Sequence, residues 1–290
     1  MRFALTDDQR DFAASLEALL ASSDTVAVAR AWADGDSGPG LKLWARLAEQ
    51  GVTSLATEAS PVELVIAFEA LGRHAVPGPW VESAAYLPRA LGHEVDGIGT
   101  VAVPPHLPWA LDADVADQVY VGSTPAGAVG QMRVSVDRTR RLFEVASSVE
   151  PAETNRDAFD LAVLATSAQL LGCGERLLAD SVVYVKQRRQ FGREIGSYQV
   201  IKHRLADVHI ALAFARPLVF GAALGEVPAS AAKVACADAA YLASRTALQV
   251  HGAVGYTQEL DLSLWITKVR ALVSAWGTPA HHRAAVLAGL

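Results

Sequence analysis

The sequence predicts a mainly α-helical protein with a small β layer: a helical domain over residues 1–92, a short β domain over 93–150 and a four-helix bundle over 151–290. Three observations predict it. Apolar residues recur three and four apart at both ends of the chain, the spacing of a buried helix face. Between those ends lie short valine-rich runs separated by turn residues, the pattern of strands. Hydrophobic residues make up 51% of the 290 residues and charged ones 19%, which supplies a large core and excludes a disordered chain.

In the first region, Thr6-Asp7-Asp8-Gln9 fits a capping box, with Phe12, Leu16, Leu19 and Leu20 following at helical spacing. Residues 34–39 read as a loop. Leu43, Trp44, Leu47 and Ala48 mark a second helix. Ser60-Pro61-Val62-Glu63 combines a cap, a proline at the first helical position and a returning glutamate, and that helix should end near His74. The middle region holds Val101-Ala102-Val103, Val119-Tyr120-Val121, Met132-Arg133-Val134 and Leu142-Phe143-Glu144-Val145, enough for a small sheet but not a barrel. The last region predicts four long helices at 154–189, 198–224, 228–251 and 258–275, with Pro217 expected to kink the second or shift its boundary.

A net charge of −6 argues against a nucleic-acid role, which needs a basic face. Cys173 and Cys236 sit in apolar stretches and read as buried free thiols. The polar, acidic start is no signal peptide, and no run of about 18 apolar residues lacks charge, so the chain reads as soluble and cytoplasmic with no membrane span. His281-His282-Arg283 reads as a solvated helix face. Asp112, Asp114 and Asp117 read as a strand entry and not a calcium loop, because the loop glycine is missing.

Two motifs carry chemistry. In Gln187-Arg188-Arg189-Gln190-Phe191-Gly192-Arg193, a long helix is expected to run to Gly192, with Ser197 capping the next. The arginines at that corner are either a solvated helix end or an anion clamp, since a guanidinium fork matches phosphate oxygens. In Gln249-Val250-His251-Gly252-Ala253-Val254-Gly255-Tyr256, the choice is between a glycine cap and a small-residue loop that admits a phosphate to backbone N–H groups.

Together, these motifs resemble the acyl-CoA dehydrogenase family. So do Phe3-Ala4-Leu5-Thr6-Asp7-Asp8-Gln9, the stretch from Leu43 to Val52, Glu69-Ala70-Leu71-Gly72-Arg73 and the stretch from Ala110 to Asp117. The resemblance implies an N-terminal helical domain, a middle β domain that is truncated here, a C-terminal bundle, and FAD lying between subunits. It places Arg188 and Gln249 with Gly252 on the pyrophosphate, and Gln190 and Phe191 on the flavin. Ala253 stands where the family has a second glycine.

The family's chemistry also needs a carboxylate to take the α-proton of the thioester while a hydride leaves the β-carbon. Its usual glutamate lies about twenty residues beyond the G-F/Y pair; here that place holds Trp276, in Ala275-Trp276-Gly277-Thr278. An indole N–H only donates and cannot take the proton. The alternative place on the first bundle helix holds Ala162, with Asp160 pointing elsewhere; Glu175 and Glu194 match neither location. The family's Trp-x-Thr strand and acidic Gly-Ser turn have no match in 93–150.

The resemblance therefore implies a non-catalytic subunit that completes the FAD site of a full-length homologue, in an α2β2 assembly of the actinobacterial type. The acyl-CoA, a bulky or steroid side-chain thioester, would sit mainly on the partner. Two alternatives stay open: a homomeric dehydrogenase with a relocated base, and an assembly protein of the same fold without a redox role.

Overall fold

The computed structural model describes residues 4–146 and 155–289. The expected boundary at 150/151 lies outside them. Thr6 caps α1 (Asp7–Ala21) through the expected box: its hydroxyl accepts from the Gln9 amide while Gln9 Oε1 accepts from the Thr6 amide. Helices α2 (Thr25–Ala33), α3 (Gly38–Glu49) and the single turn α4 (Leu55–Glu58) follow. The helix α5 (Pro61–Arg73) begins at the proline, with the Ser60 hydroxyl accepting from the Val62 amide. A π-type turn at Glu82–Tyr86 leads into α6 (Leu87–Leu91).

Six short strands make two three-stranded sheets. In the first, β1 (Gly99–Ala102) runs parallel to β3 (Gln118–Val121), which pairs with β4 (Thr124–Pro125). In the second, β6 (Leu142–Ala146) lies between β2 (Ala110–Leu111) and β5 (Ala128–Arg133). The expected Met132 strand thus starts earlier, and β2 is an addition: two residues are too short to show alternation.

The bundle consists of α7 (Arg156–Gln187), a hairpin of β7 (Arg189–Gln190) and β8 (Arg193–Glu194), α8 (Gln199–Ala223), α9 (Ala229–His251) and α10 (Leu262–Ser274). A further helix, α11 (Pro279–Ala288), follows the four; its start carries the cap-then-proline signal at Thr278-Pro279. Pro217 does not end α8. That helix is long and apolar enough to cross a membrane by composition alone, at a mean hydropathy of 1.4 over its best window. It nonetheless packs in the bundle, with Val208, Leu212, Ala215 and Val219 turned inward.

One apolar core runs from Leu16 through Trp276. Its centre is the crossing of α5 and α7. Helix α5 is buried from Leu64 through Gly72, as expected of a helix apolar on every side. Trp265 Nε1 of α10 donates to the Arg73 carbonyl at 3.0 Å, fastening the end of α5 to the bundle. Both cysteines are buried and free, and burial pushes the Cys173 thiol up to about 12.

Candidate functional site at the bundle corners

The helix α7 stops at Gln187, five residues before the expected glycine. Arg188 closes it by donating its amide to the Tyr184 carbonyl. The chain then folds into the β7–β8 hairpin, whose two-residue loop is Phe191-Gly192. Both loop residues have positive φ, 52° and 83°, the handedness that a tight hairpin requires. Gly192 adopts it freely and Phe191 at a cost, and the turn throws the Phe191 ring outward, 92% exposed. Ser197 does not cap α8 as expected; its hydroxyl donates to the Glu194 carbonyl instead.

The second motif comes to the same corner. Val185, Ile195 and Val250 form a small apolar cluster that ties the end of α7 to the end of α9. The Tyr184 ring stacks on His251 at 4.1 Å. Gly252 then turns with φ 64° and ψ −140°, a conformation reserved in practice for glycine, and open space surrounds the position a Cβ would take. Gln190, Phe191 and Gln249 line one shallow groove of about 380 Å³, together with Tyr198 and Arg204. Arg188, Gly252 and Ala253 lie on the turns flanking it, at least partly exposed.

The three arginines of the corner are not equivalent. Arg189 pairs with Glu194 at 3.4 Å, and the Arg193 guanidinium sits 4.1 Å over the Tyr198 ring. Arg188 makes no side-chain hydrogen bond or ion pair among the described residues. A free guanidinium fork beside a glycine turn with open backbone is suited to an anion such as a pyrophosphate.

The turn at the expected base position is closed. Beyond α10 the chain turns at Trp276 (φ 57°) and Gly277 (φ 101°) and enters α11, capped by the Thr278 hydroxyl. Trp276 is 1% exposed, its ring 5.0 Å from Tyr86 and 5.9 Å from Phe159. Ala162 is wholly buried within α7. Asp160 lies at a groove edge near Arg156, and burial raises its carboxyl. Glu175 is engaged by Arg73 and Arg216, and Glu194 by Arg189. Asp112 is buried; it accepts from Trp32 Nε1 and the Arg141 amide and is pushed up to about 7 by burial. No metal cluster of three or more ligating side chains occurs among the described residues.

Three residues surround Trp276, and the sequence did not single out the first two of them, Glu82 and Lys233. Glu82 is fully buried and its carboxyl raised by burial; the Trp276 indole N–H lies near it without completing a bond of ordinary geometry. Lys233, also fully buried, donates from Nζ to the Leu272 and Ala275 carbonyls at 2.6 and 2.8 Å. His282 corrects the expected solvated face: it is buried, Nε2 donates to the Trp276 carbonyl at 2.9 Å, and Nδ1 accepts from Ser230 Oγ. The signal for Glu82 was a lone carboxylate inside the otherwise apolar stretch 80–87. Lys233 is flanked by alanines and valine, a weaker cue.

Residues 154–290 match the family model described as acyl-CoA dehydrogenase, C-terminal domain. The chain is 31% identical to acyl-CoA dehydrogenase IpdE2 of Mycobacterium tuberculosis, over 91% of this chain and 92% of that one. Among solved structures it is similar to butyryl-CoA dehydrogenase of Megasphaera elsdenii, with TM-score 0.82 and 19% identity, covering 100% and 99% of the two chains. It is also similar to a chain of the ChsE4–ChsE5 complex of Mycobacterium tuberculosis, with TM-score 0.79 and 21% identity, covering 99% and 98%.

Proposed function

This chain belongs to the acyl-CoA dehydrogenase family, and from that premise we propose that it is a base-less subunit of a heteromeric dehydrogenase, completing the FAD site of a full-length partner. The observation that carries the reading is the contrast between two places. Where the family keeps its glutamate, a buried tryptophan fills the volume. Where the pyrophosphate would lie, Arg188 is unpaired among the described residues and Gly252 leaves backbone open. The likeness to a chain from a two-component complex supports an assembly with a different partner. A bulky acyl group, steroid side chains included, fits the resemblance to paired dehydrogenases.

In this reading Arg188 offers two parallel N–H donors to the pyrophosphate, and the turn at Gly252 offers a backbone N–H with no Cβ in the way. Gln190 and Gln249, on one groove, supply amide donors and acceptors at fixed spacing. Phe191, held outward by its hairpin, presents a flat apolar face across the subunit boundary. FAD, when bound, supplies the hydride acceptor. The proton of the thioester is left to the partner's carboxylate, because Trp276 cannot accept it and Glu82 is enclosed.

The test is co-expression with a full-length homologue encoded nearby, followed by the ratio of flavin to chains. Fewer flavins than chains are expected. Arg188→Ala should weaken FAD retention in the complex about ten- to a hundredfold, the worth of a charge-assisted hydrogen bond of about 1.5–3 kcal/mol. Full FAD occupancy and acyl-CoA oxidation by the lone chain would sink the proposal. An unchanged flavin spectrum in the Arg188→Ala complex, at equal yield, would instead favour an assembly role.

A further inference from the structure

A cleft of about 730 Å³ lies between the second sheet and the α10–α11 turn. Its walls are largely apolar, with Trp109, Val136 and Leu142 on one side and Ala271 on the other. Two cations line it and, among the described residues, no acidic residue does, in a chain of net charge −6. Arg270 is exposed at the end of α10. Arg140 is only 9% exposed and still forms part of the cleft wall.

Arg140 is the unusual group. A guanidinium cannot shed its charge, and a buried charge without a partner costs several kcal/mol. Yet Arg140 has no side-chain hydrogen bond or ion pair among the described residues. The neighbouring carboxyl groups of the described residues make no hydrogen bond or ion pair with it. Asp112 is committed to Arg141 at 3.3 Å, and Asp137 to Lys268 at 3.4 Å. Both Glu82 oxygens are enclosed and bond no side chain, Arg140 included. Among the described residues, none supplies a counter-ion at contact distance.

We propose that this cleft binds an amphipathic carboxylate, an apolar body carrying one anionic end, with Arg140 taking the anion. A cleft of this size suits a ligand with a body of about ten carbons. The carboxylate can belong to a free carboxylic acid or to the far end of the acyl chain of a thioester. The site stands whether or not this chain completes a flavin site, because the cleft and its cations belong to this chain alone.

The test is calorimetric titration of the full chain with decanoate and with 1-decanol, which share a body and differ in charge. The intrinsic fluorescence of the six tryptophans, of which Trp109 lines the cleft, gives a second readout. Decanoate is expected to bind at least about tenfold more tightly than decanol, the effect of one charge-assisted contact. Arg140→Gln should bring decanoate down to the decanol level and leave decanol unchanged; Arg270→Gln should have a smaller effect. Equal affinity of the wild-type chain for the two probes overturns the proposal, and that comparison needs no variant to fold. So does an undiminished decanoate preference in folded Arg140→Gln. Decanoyl-CoA and decanedioyl-CoA then separate the sources. Tighter, Arg140-dependent binding of decanedioyl-CoA assigns the site to a carboxylate-ended thioester; a response to decanoate alone assigns it to a free acid.

Discussion

Gly172→Ala is expected to destabilise this fold substantially, although alanine is the better helix former. At the crossing of α5 and α7, a Cβ on residue 172 would lie 2.0 Å from the Glu69 carbonyl oxygen and 2.8 Å from the Arg73 amide nitrogen. Ordinary contact begins near 3.4 Å, so the two backbones must part by about 1.4 Å. The obstruction is backbone on a buried helix and cannot rotate away. Gly72 meets Gln169 in the same manner at 2.1 Å, so the two glycines set the closest approach from both sides. A gap of even 0.5–1 Å forfeits roughly a quarter to a half of the dispersion energy across it. Overpacking of this kind costs about 1–3 kcal/mol, and the lost contacts of Phe68, Leu71, Leu170 and Leu171 add to it. Replacing a helical glycine returns about 1 kcal/mol. With about 1 kcal/mol for the loosened contacts, the net expectation is a loss of about 1–3 kcal/mol, read as a lower urea midpoint by far-ultraviolet circular dichroism. Gly221→Ala in α8 is the control: its Cβ would meet only Val227 side-chain atoms, the nearest at 3.3 Å, and should change stability by less than about 1 kcal/mol. A Gly172→Ala chain as stable as wild type would refute the close crossing.

Two further perturbations test the interior charges. His282 is held neutral by burial, its pKa lowered to about 4; its unfolded value near 6.5 means the unfolded chain binds the extra proton first. Stability is therefore complete above about pH 6.5 and lost as pH falls toward 4, by at most about 3 kcal/mol. Urea midpoints of wild type should fall over that window more steeply than those of His282→Gln, and parallel profiles would contradict the assignment. At the junction of α5, α7 and α8, Arg73 and Arg216 each contact both Glu69 and Glu175. A double-mutant cycle of Glu175→Gln with Arg216→Gln should return a coupling of about 1 kcal/mol, reduced by the partial exposure of both groups; strict additivity would show that the ring is not a unit.

What was legible in the sequence follows the range of the forces involved. Caps act over three residues, so Thr6 and Ser60 placed their helices to the residue. The 3.6-residue period placed the long bundle helices to within a few residues. The corner after α7 was misread because Phe191-Gly192 looks like a helix ending in glycine. That it closes a hairpin depends on Ile195 docking on Val185 and Val250, a contact across 55 residues that no local pattern records. The same limit hid the neighbours of Trp276. Spacing alone put Trp276 at the expected base position. It could not show that Lys233, from α9, and His282, from α11, hold the carbonyls of that turn. Nor could it show that Arg140, one of four arginines between positions 133 and 141, is the one without a counter-ion among the described residues. Arg133, Arg138 and Arg141 all have carboxylate partners. Charge compensation is a property of the assembled interior; residue type fixes that a guanidinium must be answered, and only the packing decides by what.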